Sequence, residues 1–510
     1  MTDVKERAVR AVTWDALGRG LLFFLNFAGS LIVVRMLGSV TYGQLAIILS
    51  LYSLVAFGMS FGFKNAVLRF TPQLLGQHNH AGIWWLLNIV CRIRVMAWMV
   101  ASLVVVIGAQ PLSESVLGRP EVAPYLRLLP IFLLIPIVYD IVAALAVATF
   151  QQRLLNLTEV STKALYLILL TAFLWASWGI IGVLTAAFVT QFVAVGILGM
   201  VLARAFDRGR QAEHTPTLTT RRLFEFSASS YVASLLAFVL GKDLDVLLLG
   251  RFVADVYQVS AYVVAFTFVT LSYQFLLVGV SGGFELPLVA ELHTTGDRGG
   301  LRRVYGCYFE YVYVFVIPLA VGGMMVGEDL VVWFYGESFR GLSQLLTPLF
   351  LFTCLAKLDG LAAMFLTGMD RERQLVVIRM ACGLVNLALN LVLIPQYGAL
   401  GAVWGTGSTM VLMAACTSAM LHRLMQPQYP LRFLIRTSVA AAVMGVILLT
   451  LKRFFLSAGS PLETLLLLVV GLGVYGSMII WLKPVSVENV KALARAPIPG
   501  VHWLATLLHP

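Results

Sequence analysis

Residues 83–108 read IWWLLNIVCRIRVMAWMVASLVVVIG. The run is long and apolar enough to cross a bilayer, which takes about 20 residues of helix. Two arginines, Arg92 and Arg94, stand near its middle. A membrane strand would be shorter and would alternate apolar with polar side chains. The stretch therefore reads as a transmembrane helix whose buried cations need a reason.

The rest of the 510 residues agree with it. Hydrophobic residues make up 60% of the chain and charged residues 12%, about half the charged fraction of an average soluble protein. That leaves too little polar surface to cover soluble domains. Fourteen spans are expected: 14–37, 41–63, 83–108, 124–149, 160–176, 179–203, 226–250, 256–282, 304–327, 343–367, 375–395, 398–421, 435–456 and 462–482. The fold class is thus an all-α polytopic membrane protein of about 14 transmembrane helices.

The net charge of +11 comes from 36 Lys and Arg against 25 Asp and Glu. With the N-terminus inside, internal segments carry 24 of the 36 cations and external ends carry 7. This bias sets the orientation, with both termini cytoplasmic. It also explains the basicity without nucleic acid, because the cations border a membrane face rather than line a groove. The polar N-terminus lacks the apolar core and cleavage site of a signal peptide. The five cysteines, Cys91, Cys307, Cys354, Cys382 and Cys416, lie in apolar stretches and form no C-x-x-C pair. They read as small buried hydrophobes, and no metal site or cofactor is expected.

Two halves repeat at an offset near 218 residues. Pro130, Asp140 and Arg153 in the first match Pro348, Asp359 and Arg371 in the second, and Gly179 and Gly182 match Gly398 and Gly401. The offset covers six spans, so the halves have the same topology and the repeat is parallel. That is a transporter arrangement, with a substrate cavity expected between halves. The expected domains are a first lobe (1–203), a cytoplasmic linker (204–224), a second six-helix lobe (225–421), two C-terminal helices (422–483) and a cytoplasmic tail (484–510).

The motifs carry a resemblance. Val34-Arg-Met-Leu-Gly38 with Tyr42-Gly43, Asp245 through Arg251 with Tyr257 and Tyr262, and Gly368-Met-Asp-Arg-Glu-Arg373 followed by Asn386, Asn390, Ile394-Pro395 and Gly401-Ala402 resemble the multidrug/oligosaccharidyl-lipid/polysaccharide flippase superfamily. Within it they resemble the polysaccharide transporter, O-antigen flippase-like branch. The resemblance implies export of a lipid-linked oligosaccharide, usually on undecaprenyl diphosphate, across a bacterial cytoplasmic membrane. It admits a glycan polymerase or other assembly protein as partner. A cation-coupled drug antiporter of the same superfamily is the alternative, and a membrane enzyme using the same lipid carrier a lesser one. The longest external loop holds only Glu114, Arg119 and Glu121, few groups for catalysis. A monomer suffices.

Five cations fall within spans: Arg19, Arg92, Arg94, Lys242 and Lys357. They are the candidate substrate-binding residues, because arginine bonds phosphate oxygens bidentately and stays charged. Arg92 and Arg94 lie about 200° apart on a helix. Only one of them can face a given cavity, and the other is expected to pair, with Asp140 a candidate partner. Arg19 has Asp15 one turn earlier and reads equally as a surface pair. Candidate coupling-ion carboxylates are Asp140, Asp243, Asp245 and Asp359. Lys242 and Asp245 share a face (i, i+3) and could neutralise each other, leaving Asp243 unengaged. The G-x-S-x-G match at Gly58–Gly62 ends an apolar span, where a nucleophile elbow has no strand to grow from.

Overall fold

The computed structural model describes residues 2–206, 218–277, 285–427, 429–454 and 460–484; the side chains of 2–17, 19, 116, 204–206, 276–277 and 285 lie outside that description. Most of the expected linker and nearly all of the expected tail therefore lie outside it too. Every regular element among the described residues is helical. The α-helices are α1 (Thr2–Leu37), α2 (Ser39–Gly58), α3 (Phe63–Gly76), α4 (His80–Pro111), α5 (Ala123–Ala148), α6 (Gln152–Trp175), α7 (Gly179–Phe206), α8 (Thr220–Val239) and α9 (Lys242–Phe252). They continue with α10 (Val256–Leu277), α11 (Glu285–Thr294), α12 (Arg298–Tyr335), α13 (Ser343–Gly368), α14 (Glu372–Tyr397), α15 (Ala399–Met425), α16 (Leu431–Phe454) and α17 (Pro461–Leu482).

Thirteen described helices are long and apolar enough to cross a membrane. The difference from fourteen lies at the seventh span, expected to run unbroken over 226–250. It is two helices, α8 and α9, parted at Leu240-Gly241. Gly241 has an extended backbone (φ −91°, ψ 165°). Glycine is a poor helix former, and Lys242, Asp243 and Asp245 crowd the next turn, where an uncapped helix N-terminus favours the two acids. A second difference concerns Pro72 and Pro287. Both lie between expected spans, and both fall in short helices, α3 and α11. In α3, Phe63, Ala66, Val67, Phe70 and Leu74 fall on one buried stripe, which supplies the packing a short helix needs.

The repeat is visible in the helices themselves. α5 and α13 have the same length, 26 residues, and carry Pro130 and Pro348. Each packs on the helix two places later, α7 and α15. By packing, residues 21–260 form one compact unit, and residues 261–510 with 1–20 form the other. The first unit includes α8 and α9.

Within residues 21–260, α3 is fixed against α8 by a close backbone approach. Gly62 sits at φ +70° immediately before α3; a Cβ there would overlap the Ser227 carbonyl oxygen and lie 2.8 Å from the Tyr231 amide nitrogen. The Phe57 ring stacks on Tyr231 at 4.9 Å beside this contact. Lys64 follows on the first turn of α3, so this junction sets where its ammonium goes.

Within residues 261–510, α16 and α17 pack on α12. One polar tie joins α16 to α12: Lys452 Nζ lies 2.5 Å from Asp329 Oδ2 and donates to the Met325 carbonyl at 3.2 Å. Asp329 is buried, so removing only its partner strands a charge.

Two outcomes test these contacts. Gly62→Ala combines left-handed strain with overpacking, each costing about 1–3 kcal/mol. It should lower the melting temperature of the purified protein in detergent, whereas Gly58→Ala, with open space around its Cβ position, should not. Lys452→Met alone should destabilise by about 1–3 kcal/mol, and Asp329→Asn/Lys452→Met should recover most of that loss.

Candidate functional site

In the first unit the intramembrane charges form a network. Arg94, in α4, is buried to 3% exposure. Its Nη1 lies 3.0 Å from Asp140 Oδ2 on α5 and donates to the Ile137 carbonyl at 3.3 Å. The other carboxylate oxygen, Oδ1, lies 3.0 Å from Lys64 Nζ at the start of α3. Two cations thus share one carboxylate and leave a net positive charge. Lys64 is 54% exposed and Asp140 27%, so the network opens at one edge. The Nε–H of Arg94 has no hydrogen-bond partner among the described residues. Buried donors are normally paired, and this one is available to an acceptor brought from outside.

Helical phase separates the two arginines of α4 as expected. Arg94 turns into the α3/α4/α5 packing, while Arg92 is exposed. Arg92 makes no ion pair or hydrogen bond among the described residues, and exposed apolar residues, Val95, Met96, Met99 and Val100, follow it on α4. Lys64 was legible only as one of the internal surface cations. The signal for its role is its place directly after the Gly62 kink.

The half-buried Lys242 opens α9, with the Asp243 charge closest in effect. Asp243 is engaged, contrary to expectation: it accepts from Ser50 Oγ on α2 at 3.4 Å. Asp245 is fully buried. For Arg19, α1 is helical at its position, but the side chain lies outside the described residues.

In residues 261–510, Lys357 is half-buried, with its ammonium 5.2 Å from the centroid of the Tyr273 ring. Cation–π attraction offsets part of its desolvation there. The tyrosine is held by its own hydroxyl, which donates to the Phe350 carbonyl at 2.9 Å. Asp359, two residues on, is 7% exposed. Its Oδ1 has no hydrogen-bond partner among the described residues, and Thr417 and the Arg379 cation lie within its electrostatic reach. Nearby helices α14 and α15 share a buried polar triad. Asn386 Oδ1 accepts from Asn390 Nδ2 and from Thr406 Oγ1, each at 3.2 Å. Among the described residues no three His, Cys, Asp or Glu side chains gather as a metal site.

An apolar cavity of about 430 Å³ lies between α10, α12, α13, α16 and α17, lined by Phe268, Val314, Pro318, Met444, Leu467 and Tyr475 among others. Sequence reading missed it. The helices around it are apolar on every side, so composition does not mark which face is hollow.

Comparison with known proteins fits this architecture. A model of the family described as polysaccharide biosynthesis protein matches residues 32–344. A curated protein of Haloferax volcanii, "Probable flippase AglR", is 26% identical over 253 residues, 49% of this chain and 52% of that protein. The match thus spans about half the length of that relative. Among solved structures, the lipid II flippase MurJ in an inward closed conformation superposes with a TM-score of 0.69 at 14% identity, covering 91% of this chain and 97% of that one. A multidrug resistance MATE family transporter of the MOP superfamily gives 0.63 at 13% identity, covering 80% and 94%. The expected superfamily fold is therefore the observed one, in a multi-pass membrane protein. From the matched residues, the chain belongs to the polysaccharide biosynthesis protein family.

Proposed function

We propose that this protein flips a lipid-linked oligosaccharide, carried on a diphosphate such as undecaprenyl diphosphate, from the inner to the outer leaflet of a bacterial cytoplasmic membrane. The product feeds cell-surface polysaccharide assembly. One observation carries the reading: in residues 21–260, Arg94 and Lys64 share one carboxylate, Asp140, and Arg92 stands on α4 without an ion pair among the described residues, so cationic charge is left over. A diphosphate crossing about 30 Å of hydrocarbon loses its hydration. Fixed guanidinium groups replace part of that hydration by charge-assisted bonds. Cations arranged this way attract an anion and repel the cationic drugs of an antiporter. The apolar cavity beside α16 and α17 suits the hydrocarbon chain of such a cargo by the same like-with-like argument. The names of the relatives point the same way, since one is a probable flippase and another flips lipid II.

The cycle is alternating access, with the parallel repeats as the moving parts. Its driving ion binds in the second half, and Asp359 is the residue for it: buried, with one oxygen unbonded. Asp140 has its two oxygens occupied by cations and serves charge balance instead. The fold of MATE transporters keeps cation-coupled antiport of a drug or other small molecule as the second reading. Gene deletion separates the two. Build-up of the glycan lipid in the inner leaflet supports flipping; normal glycan export with altered drug tolerance supports antiport.

Two variants test the residues. Arg94→Gln removes a charge-assisted contact of about 1.5–3 kcal/mol, so glycan-lipid transfer in proteoliposomes should fall roughly 10- to 100-fold. The double variant Arg94→Gln/Asp140→Asn restores the original net charge of +1, carried by Lys64. It should regain thermal stability but not transfer; regained transfer would make Arg94 a purely structural ion. Asp359→Asn should leave folding intact and abolish the dependence of transfer on a proton or sodium gradient. An unchanged dependence removes Asp359 from coupling.

A further inference from the structure

The seventh span belongs to the second repeat by sequence, yet α8 and α9 pack in the unit of residues 21–260. What holds α9 there is unusual. Its packing on α2 is close: the Ile47 side chain lies 3.1 Å from where a Cβ on Gly250 would sit, and a Cβ on Gly43 would lie 2.5 Å from the carbonyl oxygen of Val256, the first residue of α10. Ser50 bonds the N-terminal turn of α9; at its C-terminal end the directional bonds come from an arginine outside the helix. Arg119, in the segment joining α4 to α5, is 7% exposed. Its Nε donates to the Gly250 carbonyl at 2.9 Å, and its Nη2 donates to the carbonyls of Val253 at 2.5 Å and Ala254 at 3.2 Å. Its Nη1 lies 3.6 Å from Glu121.

These carbonyls are the unsatisfied acceptors at a helix C-terminus, where a cation also meets the favourable end of the helix dipole. The planar fork of arginine reaches all three at once. Span parity puts the 112–122 segment and the end of α9 on one membrane face, which the charge bias makes the outer one. Water is at hand there to take over both the guanidinium and the carbonyls, so these bonds exchange at low cost. The same bonds at mid-membrane would not.

We propose that Arg119 is a releasable latch: a positioning residue that clamps the outer end of the seventh span to the first half and must let go when the transporter opens outward. It thereby fixes α9, whose opposite end carries Lys242, Asp243 and Asp245. The consequence for transport rests on the alternating-access reading, but the latch itself is read without cargo.

The test uses nitroxide labels at Ser115→Cys and Phe252→Cys, in full-length protein with the five native cysteines replaced by alanine, reconstituted in liposomes. Distances come from double electron–electron resonance without any substrate. The parent should show one short population. Arg119→Gln should add a longer one, and Arg119→Lys, with one nitrogen for three carbonyls, a smaller share of it. Glu121→Gln, which spares the carbonyl bonds, should match the parent. An Arg119→Gln distribution superposing on the parent overturns the latch. Should that variant not accumulate, Arg119→Lys decides, and its superposition on the parent overturns the proposal equally. If glycan transfer is absent while the distances shift, the flipping reading fails and the latch stands.

Discussion

A charge inside a bilayer is tolerated only with a partner, water or a ligand. The Arg94–Asp140–Lys64 network shows how the first unit meets that constraint. Arg94 is almost wholly desolvated, and without Asp140 its charge would be buried with no counter-charge against it. Lys64 reaches the same carboxylate from the partly exposed edge. One acid holds two cations in place, and the surplus charge sits where an anion from outside can meet it. Helices α3, α4 and α5 each carry one member of the network.

The same constraint accounts for the broken seventh span. A continuous helix through Lys242, Asp243 and Asp245 would carry three ions within four residues deep in hydrocarbon. Breaking it at Gly241 lets α9 begin afresh, with its N-terminal amides beside the two acids. Ser50 adds a hydroxyl donor to Asp243 from α2. The break costs helix hydrogen bonds, and the charge cluster compensates for them locally. Its C-terminal counterpart is the Arg119 clamp, so both ends of this eleven-residue helix are settled electrostatically.

Much of this was legible in the sequence. Apolar length and charge bias gave the class, and shared Pro, Asp and Gly at one offset gave the repeat. The 200° separation of Arg92 and Arg94 implied that the two cannot face one cavity together and that one would pair, with Asp140 a candidate partner. What escaped has a common physical cause: membrane helices are apolar on faces that pack and on faces that meet lipid. Periodicity therefore does not reveal the cavity beside Pro318 and Tyr475. Nor does it show the stripe on α3, whose residues looked like an internal loop around Pro72. Arg119 was counted as one external charge, because nothing local announces that its acceptors lie more than a hundred residues away. Loop arginines that cap distant helices are invisible to local pattern.

Asp140 and Asp359 occupy equivalent places, 219 residues apart, on helices of equal length. Duplication put a carboxylate at the same depth twice, and their surroundings then drove them to different chemistry. In the first half α3 brings Lys64 and α4 brings Arg94, which saturate both oxygens. In the second half the matching carboxylate keeps an unbonded oxygen, with Thr417 and Arg379 nearby. A saturated carboxylate has little to gain from a proton or a metal cation, since either must displace an existing cation. An unsaturated buried one gains a great deal, because any cation relieves its desolvation. The asymmetry of one duplicated aspartate thus gives the two repeats different electrostatics: a carboxylate held by two cations in the first, and one with an unbonded oxygen in the second.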